Sequence, residues 1–372
     1  MHPYRSLPEK AFWRKSVSGV AVPDVDPVGE FRLRIDPQTK VATAGSCFAQ
    51  HIARHLQKSG FHYYVTEPGH ALLPEELRKE QHYGLFTARN GNIYTSRQLK
   101  QLVQRAYGDF LPAEQPWRDA SGNYLDPFRP TTQVGGYAGI GELLADREQH
   151  FTAVRKMIET LDVFVFTLGL TECWASRCDG AVFPLCPGVE GGEFSHEAYQ
   201  YLNLGVQDVI DDMTAFWKRL KSLNPKAQMV LTVSPVPLMA TAEPNQHVLA
   251  ATTYSKSVLR VAAESLRLAH EDIHYFPSFE IITGAYNRGQ YYGEDLRNVT
   301  EQGVAQVMRL FLKHAARHVA VAASPAAEAS SPAPISNAVR AAQLVADVEC
   351  DEAALDRPEG EVPTSAPIGR RT

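Results

Sequence analysis

The chain has 372 residues, of which 44% are hydrophobic and 21% are charged, and its formal net charge is −5. This composition is typical of a globular protein with a sizeable core, and the length allows one large domain or two ordinary ones. The negative charge gives no electrostatic reason to expect a nucleic acid or an anionic membrane surface as partner. The first residues lack the continuous apolar run of a secretory signal, and no run is long enough to span a bilayer. We therefore expect a cytoplasmic protein without membrane insertion.

The five cysteines are irregularly spaced and odd in number, which favours reduced thiols over a disulfide framework. Three of them, Cys173, Cys178 and Cys186, lie near one another in the sequence, but they form no Cys-x-x-Cys pair. Such spacing carries little information about metal binding. We expect neither a metal nor a cofactor.

Strand-like and helix-like segments alternate along the chain. In order, they are a strand at 40–45 with a helix after it, a helix at 142–161, a strand at 162–170, a helix at 206–223, a strand at 227–235, a helix at 254–270, a strand at 273–282 and a helix at 300–318. This alternation predicts an α/β fold with a mostly parallel sheet. Ligands of such sheets bind outside the carboxyl ends of the strands, which directs attention to the turns that follow them.

Two segments do not follow the alternation. Residues 62–141 carry many turn signals and are too long for a simple connection, so we interpret them as an insertion that covers one rim of the site. Residues 319–372 are rich in Ala, Pro and Ser and contain no aromatic residue, which predicts a disordered tail. The α/β domain is therefore expected to occupy residues 1–318.

Ser46 lies between the first predicted strand and the helix that follows it. One interpretation is a helix N-cap, in which the hydroxyl accepts a hydrogen bond from a backbone N–H two or three residues later. The other is a nucleophile at the carboxyl end of a strand, where N–H groups of the helix start can stabilise an oxyanion. The local sequence alone leaves both open.

Further candidate residues follow other strands or lie in loops. Gly169 allows a tight turn or offers its N–H to a substrate oxygen, and Thr171 follows it directly. Asn92 is a turn residue whose amide is able to donate to an oxyanion. His247 lies in a proline-rich loop on the predicted ligand side. Asp295 precedes the last helix, where a carboxylate also interacts favourably with the helix N-terminus.

Several blocks of the sequence resemble the GSCFA domain family, which is related to the SGNH/GDSL-type esterases. The blocks, found in order between about residues 30 and 315, are AGSCFAQHI, NGNIYT, DPFRP, FVFTLGLTECW, TVSPVPL, YSKSVLR and YFPSFEII. The resemblance implies a flavodoxin-like, three-layer α/β/α fold of the SGNH-hydrolase kind. It also implies that Ser46 is the nucleophile.

The same resemblance implies how the remaining site residues divide their roles. The oxyanion would be held by the Ser46 N–H, a glycine and an asparagine amide. The candidates for oxyanion or substrate binding are Gly45, Gly169, Thr171, Asn92 and Asn298. Related esterases supply their base from an Asp-x-x-His motif before the last helix. Here Asp295 is present, but Asn298 stands where the histidine is expected.

A neutral amide cannot accept the serine proton at useful basicity, so the departure at Asn298 leaves three accounts open. His247 is a substitute base, or Asp295 acts on Ser46 directly, or the site binds an acyl group or glycan without turning it over. The first two favour a serine-dependent esterase or O-acyltransferase that acts on a carbohydrate ester, with an acetyl group on a glycan as the expected substrate. The third makes the chain a catalytically impaired binding protein that retains the pocket.

Overall fold

A computed structural model describes residues 2–317, so the tail predicted at 319–372 lies outside the described residues. The helices and strands, numbered in chain order, are β1 (Val41–Gly45), α1 (Cys47–Lys58), α2 (Glu75–Glu80), α3 (Ser96–Ala106), β2 (Trp117–Arg118), β3 (Tyr124–Leu125), α4 (Ile140–Thr160), β4 (Val163–Leu168), β5 (Glu172–Ser176), β6 (Val182–Phe183), β7 (Tyr199–Asn203), α5 (Val206–Leu223), β8 (Gln228–Val233), α6 (Val248–Ala269), β9 (Ile273–Tyr275), α7 (Ser278–Thr283) and α8 (Glu301–Ala315). None of the helices in this part of the chain combines the length and the hydropathy that a membrane-spanning segment needs.

The central sheet consists of four parallel strands in the order β1-β4-β8-β9. At its carboxyl edge Gly45 pairs with Thr167, which pairs in turn with Thr232. Beside β1, the backbone of Val41 also bonds to His62 and Tyr64, which adds a single parallel bridge at that edge. The prediction of an α/β fold with a mostly parallel sheet is confirmed.

Helices cover both faces of this sheet because the strand side chains alternate in direction and are apolar on both sides. Phe164 and Phe166 of β4 point into a core formed with α3, α4, α5 and α6. Val163 and Val165 point into a second core, formed with α1, α7 and α8. The fold is therefore a three-layer α/β/α arrangement.

The strand predicted at 273–282 is correct only in its first part. β9 ends at Tyr275, and the remaining residues form the short helix α7. Pro277 has no N–H to donate to a strand ladder, and helical spacing lets Ile281 and Ile282 both enter the core. The helix predicted at 254–270 begins earlier, at Val248.

The segment 62–141 contains more regular structure than its turn signals indicate. Its helix α3 buries Leu99, Leu102 and Val103 against the core, where the helix lies beside α5. A second addition is a three-stranded antiparallel sheet in the order β6-β5-β7, which begins just after β4. Both additions flank the carboxyl edge of the parallel sheet.

Candidate functional site at the carboxyl edge of the sheet

Ser46 lies at the carboxyl end of β1 and occupies the N-cap position of α1. Its backbone is extended, with φ −70° and ψ 178°, and its carbonyl accepts the first helical bond from Ala49 N–H at 2.8 Å. The first turn of α1 therefore directs its N–H groups and the positive end of its dipole to the space around this residue.

The hydroxyl of Ser46 does not act as a cap. Ser46 is 3% exposed, and its Oγ has no hydrogen-bond partner among the described residues. By contrast, the cap threonines Thr95 and Thr300 each accept a backbone N–H, at 3.2 Å in both cases. A buried hydroxyl without a hydrogen-bond partner costs folding free energy. Such an unpartnered hydroxyl is therefore a candidate for a reactive or ligand-binding group.

Gly45 is required by the path of the chain into Ser46. Its φ is +138°, and a Cβ added there would lie 2.4 Å from the carbonyl oxygen of Thr167. The same carbonyl oxygen accepts the Ser46 N–H at 3.4 Å, a long hydrogen bond. The close approach of β1 and β4 therefore sets the position of Ser46, and only glycine allows it.

Asn92 lies near Ser46, in the segment that follows Asn90. The Ile93 N–H donates to the carbonyl of Gly45 at 2.8 Å, which anchors this segment to the end of β1. The buried side chain of Asn92 accepts a hydrogen bond through Oδ1 from Nε2 of Gln50 at 3.2 Å. Gln50 is one helical turn after Ser46, so the amide lies beside the first turn of α1.

Gly169 is in close contact with both Ser46 and the same segment. A Cβ on Gly169 would lie 3.2 Å from the Cβ of Ser46 and 3.0 Å from the carbonyl oxygen of Tyr94. The N–H of Gly169 donates to that carbonyl at 3.1 Å, as the N–H of Leu170 does at 2.9 Å. The structure thus places Ser46, Asn92 and Gly169 together, with the Gly169 N–H engaged by the backbone.

Helix α6 supports this turn through two buried residues that sequence reasoning did not single out. Ser255 Oγ accepts the Thr171 N–H at 3.1 Å, and Nζ of Lys256 donates to the carbonyl of Gly169 at 2.6 Å. Thr171, also buried, donates its own hydroxyl to Oδ1 of Asn203 at 2.7 Å. The available signal was the position of a serine and a lysine on the apolar face of a predicted helix.

Asp295 lies in an exposed turn just before α8. Its carboxylate accepts the backbone N–H groups of Arg297 and Asn298, at 3.1 and 3.0 Å, and Nδ2 of Asn298 at 2.6 Å. The neighbouring Tyr292 donates its hydroxyl to the Pro235 carbonyl at 2.7 Å, which ties this turn to the end of β8. In residues 2–317, no hydrogen bond joins Asp295 or Asn298 to Ser46.

His247 is the exposed N-cap residue of α6 rather than part of a loop. Its Nδ1 accepts the Leu249 N–H at 3.1 Å, which explains why α6 begins at Val248. A neutral imidazole whose Nδ1 accepts carries its proton on Nε2. In this arrangement Nε2 is a hydrogen-bond donor. The bond between Nδ1 and the Leu249 N–H has to break before the ring can act as a base.

Acidic and sulfur side chains form no alternative centre in the part of the chain that the structure describes. There, no group of three His, Cys, Asp or Glu residues is placed to hold a metal ion. Cys47, Cys173, Cys178 and Cys186 form no disulfide bond with one another. Burial raises the pKa of Cys173 to about 12 and that of Cys186 to about 11, so both are poor nucleophiles near neutral pH.

The fold and this edge together define an α/β protein with a serine at the carboxyl end of its first parallel strand. The chain belongs to the GSCFA family, whose sequence model matches residues 40–311. The matched range contains Ser46, Asn92, Gly169 and Asp295. Comparison with curated proteins finds no match.

Two solved structures are similar to this chain. A Streptococcus pneumonia protein described as a candidate platelet activating factor has 12% identity and a TM-score of 0.26, with 59% of this chain and 92% of that chain covered. The acetyl xylan esterase Est2A of the rumen bacterium Butyrivibrio proteoclasticus has 13% identity and a TM-score of 0.22, with 67% and 57% covered. These values are too low for either likeness to bear on activity.

Proposed function

We propose that this protein is a serine-dependent esterase or O-acyltransferase that acts on a carbohydrate ester, with an acetyl group on a glycan as substrate. The observation that carries the proposal is the buried Ser46 Oγ, which has no hydrogen-bond partner among the described residues. It lies at the carboxyl edge of a parallel sheet, where ligands of such folds bind. The GSCFA membership of the chain is consistent with this proposal.

In the proposed reaction, Oγ of Ser46 attacks the carbonyl carbon of the ester. The bond to the sugar oxygen breaks, the serine proton passes through the base to that oxygen, and an acyl-serine remains. Water or an acceptor hydroxyl then attacks the acyl carbon, loses its proton to the same base, and releases Ser46 with its proton restored. The N-terminus of α1 and the Asn92 side chain are the proposed stabilisers of the negative oxygen.

Asp295 is the proposed base, because the hydrogen bonding of His247 disfavours His247 in that role. The single lone pair of His247, at Nδ1, already accepts a backbone N–H, whereas the exposed carboxylate of Asp295 accepts three hydrogen bonds but has two oxygens and retains acceptor capacity when ionised. Asn298 donates to this carboxylate and holds its orientation. The turn has to approach Ser46 to about 3 Å, directly or through one water, for the proton to be transferred.

An aromatic cluster beside the turn at Gly169 supports a carbohydrate as the group that carries the ester. Trp174 of β5 contacts Phe194 and Tyr201, with ring centroids 5.0 and 5.9 Å apart. β5 begins three residues after Gly169, and we propose that the leaving group of the ester extends towards this cluster. Aromatic rings present a broad apolar face that suits the C–H face of a sugar.

A second candidate function is binding without turnover. It is favoured by one observation: Asn298, and not a histidine, pairs with Asp295. Loss of the base in a Ser-His-Asp site leaves only about 10³–10⁴-fold acceleration over water. In that case the site would retain affinity for an acylated glycan.

The two functions are separated by measuring acetate release from an activated acetyl ester and from an acetylated oligosaccharide. The esterase proposal predicts release by the wild type and its loss in Ser46→Ala, with the folded state preserved. Ser234→Ala is the matched control, because this strand-end serine uses its Oγ to accept the Val236 N–H at 3.3 Å. Turnover that persists in Ser46→Ala, or glycan binding without turnover in the wild type, contradicts the esterase proposal.

A further inference from the structure

Arg105, near the end of α3, carries a buried positive charge that no carboxylate neutralises directly. It is 8% exposed, its Nε is buried without a hydrogen-bond partner, and its guanidinium takes part in no ion pair among the described residues. The guanidinium stacks over Phe128, 3.9 Å from the ring centroid, and lies 5.5 Å from that of Phe151. Burying an unpaired ion is expensive, so an uncompensated guanidinium here requires an explanation.

The other arginines of this region have carboxylate partners. Arg129 bonds to Asp126 at 3.0 Å and to Asp146 at 2.5 Å. Arg147 bonds to Asp126 at 3.0 Å, and Arg89 bonds to Asp146 at 2.8 Å. The third carboxylate, that of Glu67, accepts Nδ1 of His150 and the Arg89 N–H through a single oxygen.

Counted together, these groups leave one positive charge in excess. The buried cluster contains four arginines and three carboxylates, and the carboxylates already bond to groups other than Arg105. The negative charge of Asp126 attracts the guanidinium of Arg105 without a hydrogen bond or an ion pair between them. The cluster therefore has one arginine more than it has carboxylates, and Arg105 is the arginine without a direct carboxylate partner.

Arg105 lines a small cavity that has room for about one water-sized particle. Arg129 and His150 also line it, as do the amide side chains of Gln98 and Gln101. Both amides are oriented by backbone N–H groups that donate to their oxygens, from Tyr94 at 2.9 Å and from Val182 at 2.8 Å.

Their NH₂ groups each donate one hydrogen to a carbonyl, at 2.9 Å for Gln98 and 2.8 Å for Gln101. Each therefore retains a second hydrogen, which adds to the donors around the cavity. Nε2 of His150 is an acceptor, because Nδ1 donates to Glu67, but the guanidinium and the two amide NH₂ groups are donors, so the lining suits an anion better than a metal.

We propose that this cavity binds a monatomic inorganic anion, chloride, held by Arg105 and the neighbouring amides. A phosphate or a carboxylate-bearing metabolite needs several times the room of one water molecule, whereas a chloride ion is only slightly larger than a water molecule. Chloride supplies a negative charge without a strict demand on geometry. The inference does not depend on the proposed esterase function.

The site is connected to the carboxyl edge of the sheet. Ile93 lines the cavity, and its N–H donates to the Gly45 carbonyl that precedes Ser46. Gln98, also in the lining, donates to the Asn92 carbonyl. An anion in the cavity thus stabilises the segment that carries Asn92.

Crystals of the wild-type protein soaked in bromide test the proposal directly. We expect an anomalous peak in the cavity beside Arg105, and we expect chloride to replace it in competition. Density that fits only a water bridging Arg105 and Nε2 of His150, with no anomalous signal, overturns the proposal. This readout uses no catalytic activity, so it also distinguishes failure of this inference from failure of the esterase proposal.

Stability in solution gives a second test. The urea midpoint of the wild type should rise with chloride and saturate, relative to gluconate at the same ionic strength. Arg105→Met should remove this chloride-specific rise, whereas Arg97→Met should retain it, because Arg97 on the same helix is paired with Asp212. A rise that persists in Arg105→Met, or no rise in the wild type, contradicts the proposal. If Arg105→Met does not fold, the bromide experiment on the wild type decides.

Discussion

The ammonium group of Lys256 lies 2.6 Å from the carbonyl oxygen of Gly169, a residue at which an added Cβ would lie 3.2 Å from the Cβ of Ser46. Lys256 is 2% exposed, so this bond forms in a dry environment where charged hydrogen bonds are strong. Helix α6 thereby holds the turn after β4 in place. We regard Lys256 as a positioning residue of the proposed site.

Lys256→Met is expected to lower kcat more than it raises KM, because the turn at Gly169 loses its anchor and Ser46 loses its geometry. A hydrogen bond from a charged group contributes about 1.5–3 kcal/mol, so the free energy of unfolding should fall by a similar amount. Steady-state kinetics and urea unfolding on the same preparation check both. A change in stability with unchanged kcat would contradict the positioning role.

Gly169→Ala tests the close approach of β4 to Ser46. The new Cβ would lie 3.0 Å from the Tyr94 carbonyl oxygen and 3.2 Å from the Ser46 Cβ, so the backbone or Ser46 has to shift. We expect a loss of about 1–3 kcal/mol of stability and a clear loss of esterase activity. Gly141→Ala, in the first turn of α4 and with open space around it, should instead leave stability unchanged or raise it by at most about 0.5–1 kcal/mol, and retain activity. Equal effects at the two positions would contradict the packing argument.

Asn298→His tests whether the turn before α8 supplies the base. A positioned imidazole contributes about 10²–10⁴-fold as a general base, so we expect kcat to increase by at least about tenfold. The increase should follow a titration near pH 6.5, the ordinary pKa of histidine. The double variant with Ser46→Ala should show none of it. No gain in a folded Asn298→His protein would mean that this turn does not face Ser46.

Asp126→Asn tests the buried charge cluster between the segment 62–141 and α4. Asp126 bonds to Arg129 and Arg147, which hold the pKa of its carboxyl well below its usual range against the effect of burial. Breaking such a buried pair typically costs about 3–5 kcal/mol, and we expect that loss in urea unfolding. Glu148→Gln removes a more exposed pair with Arg155 and should cost less than about 1 kcal/mol. Similar losses for the two variants would show that the cluster is not effectively buried.

The pH dependence of stability should report on His51, in the helix that follows Ser46. Burial, followed by the nearby Arg54 and His55, lowers the pKa of His51 to about 4. The unfolded chain takes up this proton near pH 6.5 while the folded chain does not, so the contribution is complete above pH 6.5. It is lost as the pH falls towards 4, by at most about 1.4 kcal/mol per pH unit. Urea unfolding at pH 4–7 should therefore show a shallower acid slope in His51→Gln than in the wild type, and equal slopes would contradict this assignment.

The sequence predicts the parallel sheet well because its strands are short apolar runs whose burial on both faces leaves a clear signal. The helix at 206–223 coincides with α5, where apolar spacing and the Asn-Pro stop act together. The strand predicted at 273–282 is correct only for its first three residues, because an apolar run does not reveal that the ladder ends shortly before Pro277. Helix α3 was not anticipated, because turn signals on both sides of it dominated the pattern.

The site was only partly predictable for a different reason. Ser46 and Gly169 follow strands, so the topology places both at one edge, and the structure leaves little room between them for a side chain at Gly169. Lys256 and Arg105 were not singled out, because helical spacing shows at most that such a residue faces the core and does not show which groups it contacts. Their environment depends on contacts with segments far away in the sequence. The roles of Asp295, Asn298 and His247 remain predictions.

The central claim is that Ser46 is a reactive nucleophile, and covalent labelling with a fluorophosphonate tests it most directly. Intact-mass analysis followed by peptide mapping should show one adduct on the wild-type chain, located on Ser46. Ser46→Ala should remain unlabelled, while Ser234→Ala should label as the wild type does. A wild-type protein that stays unlabelled, or an adduct on another residue that forms equally in Ser46→Ala, would contradict the claim.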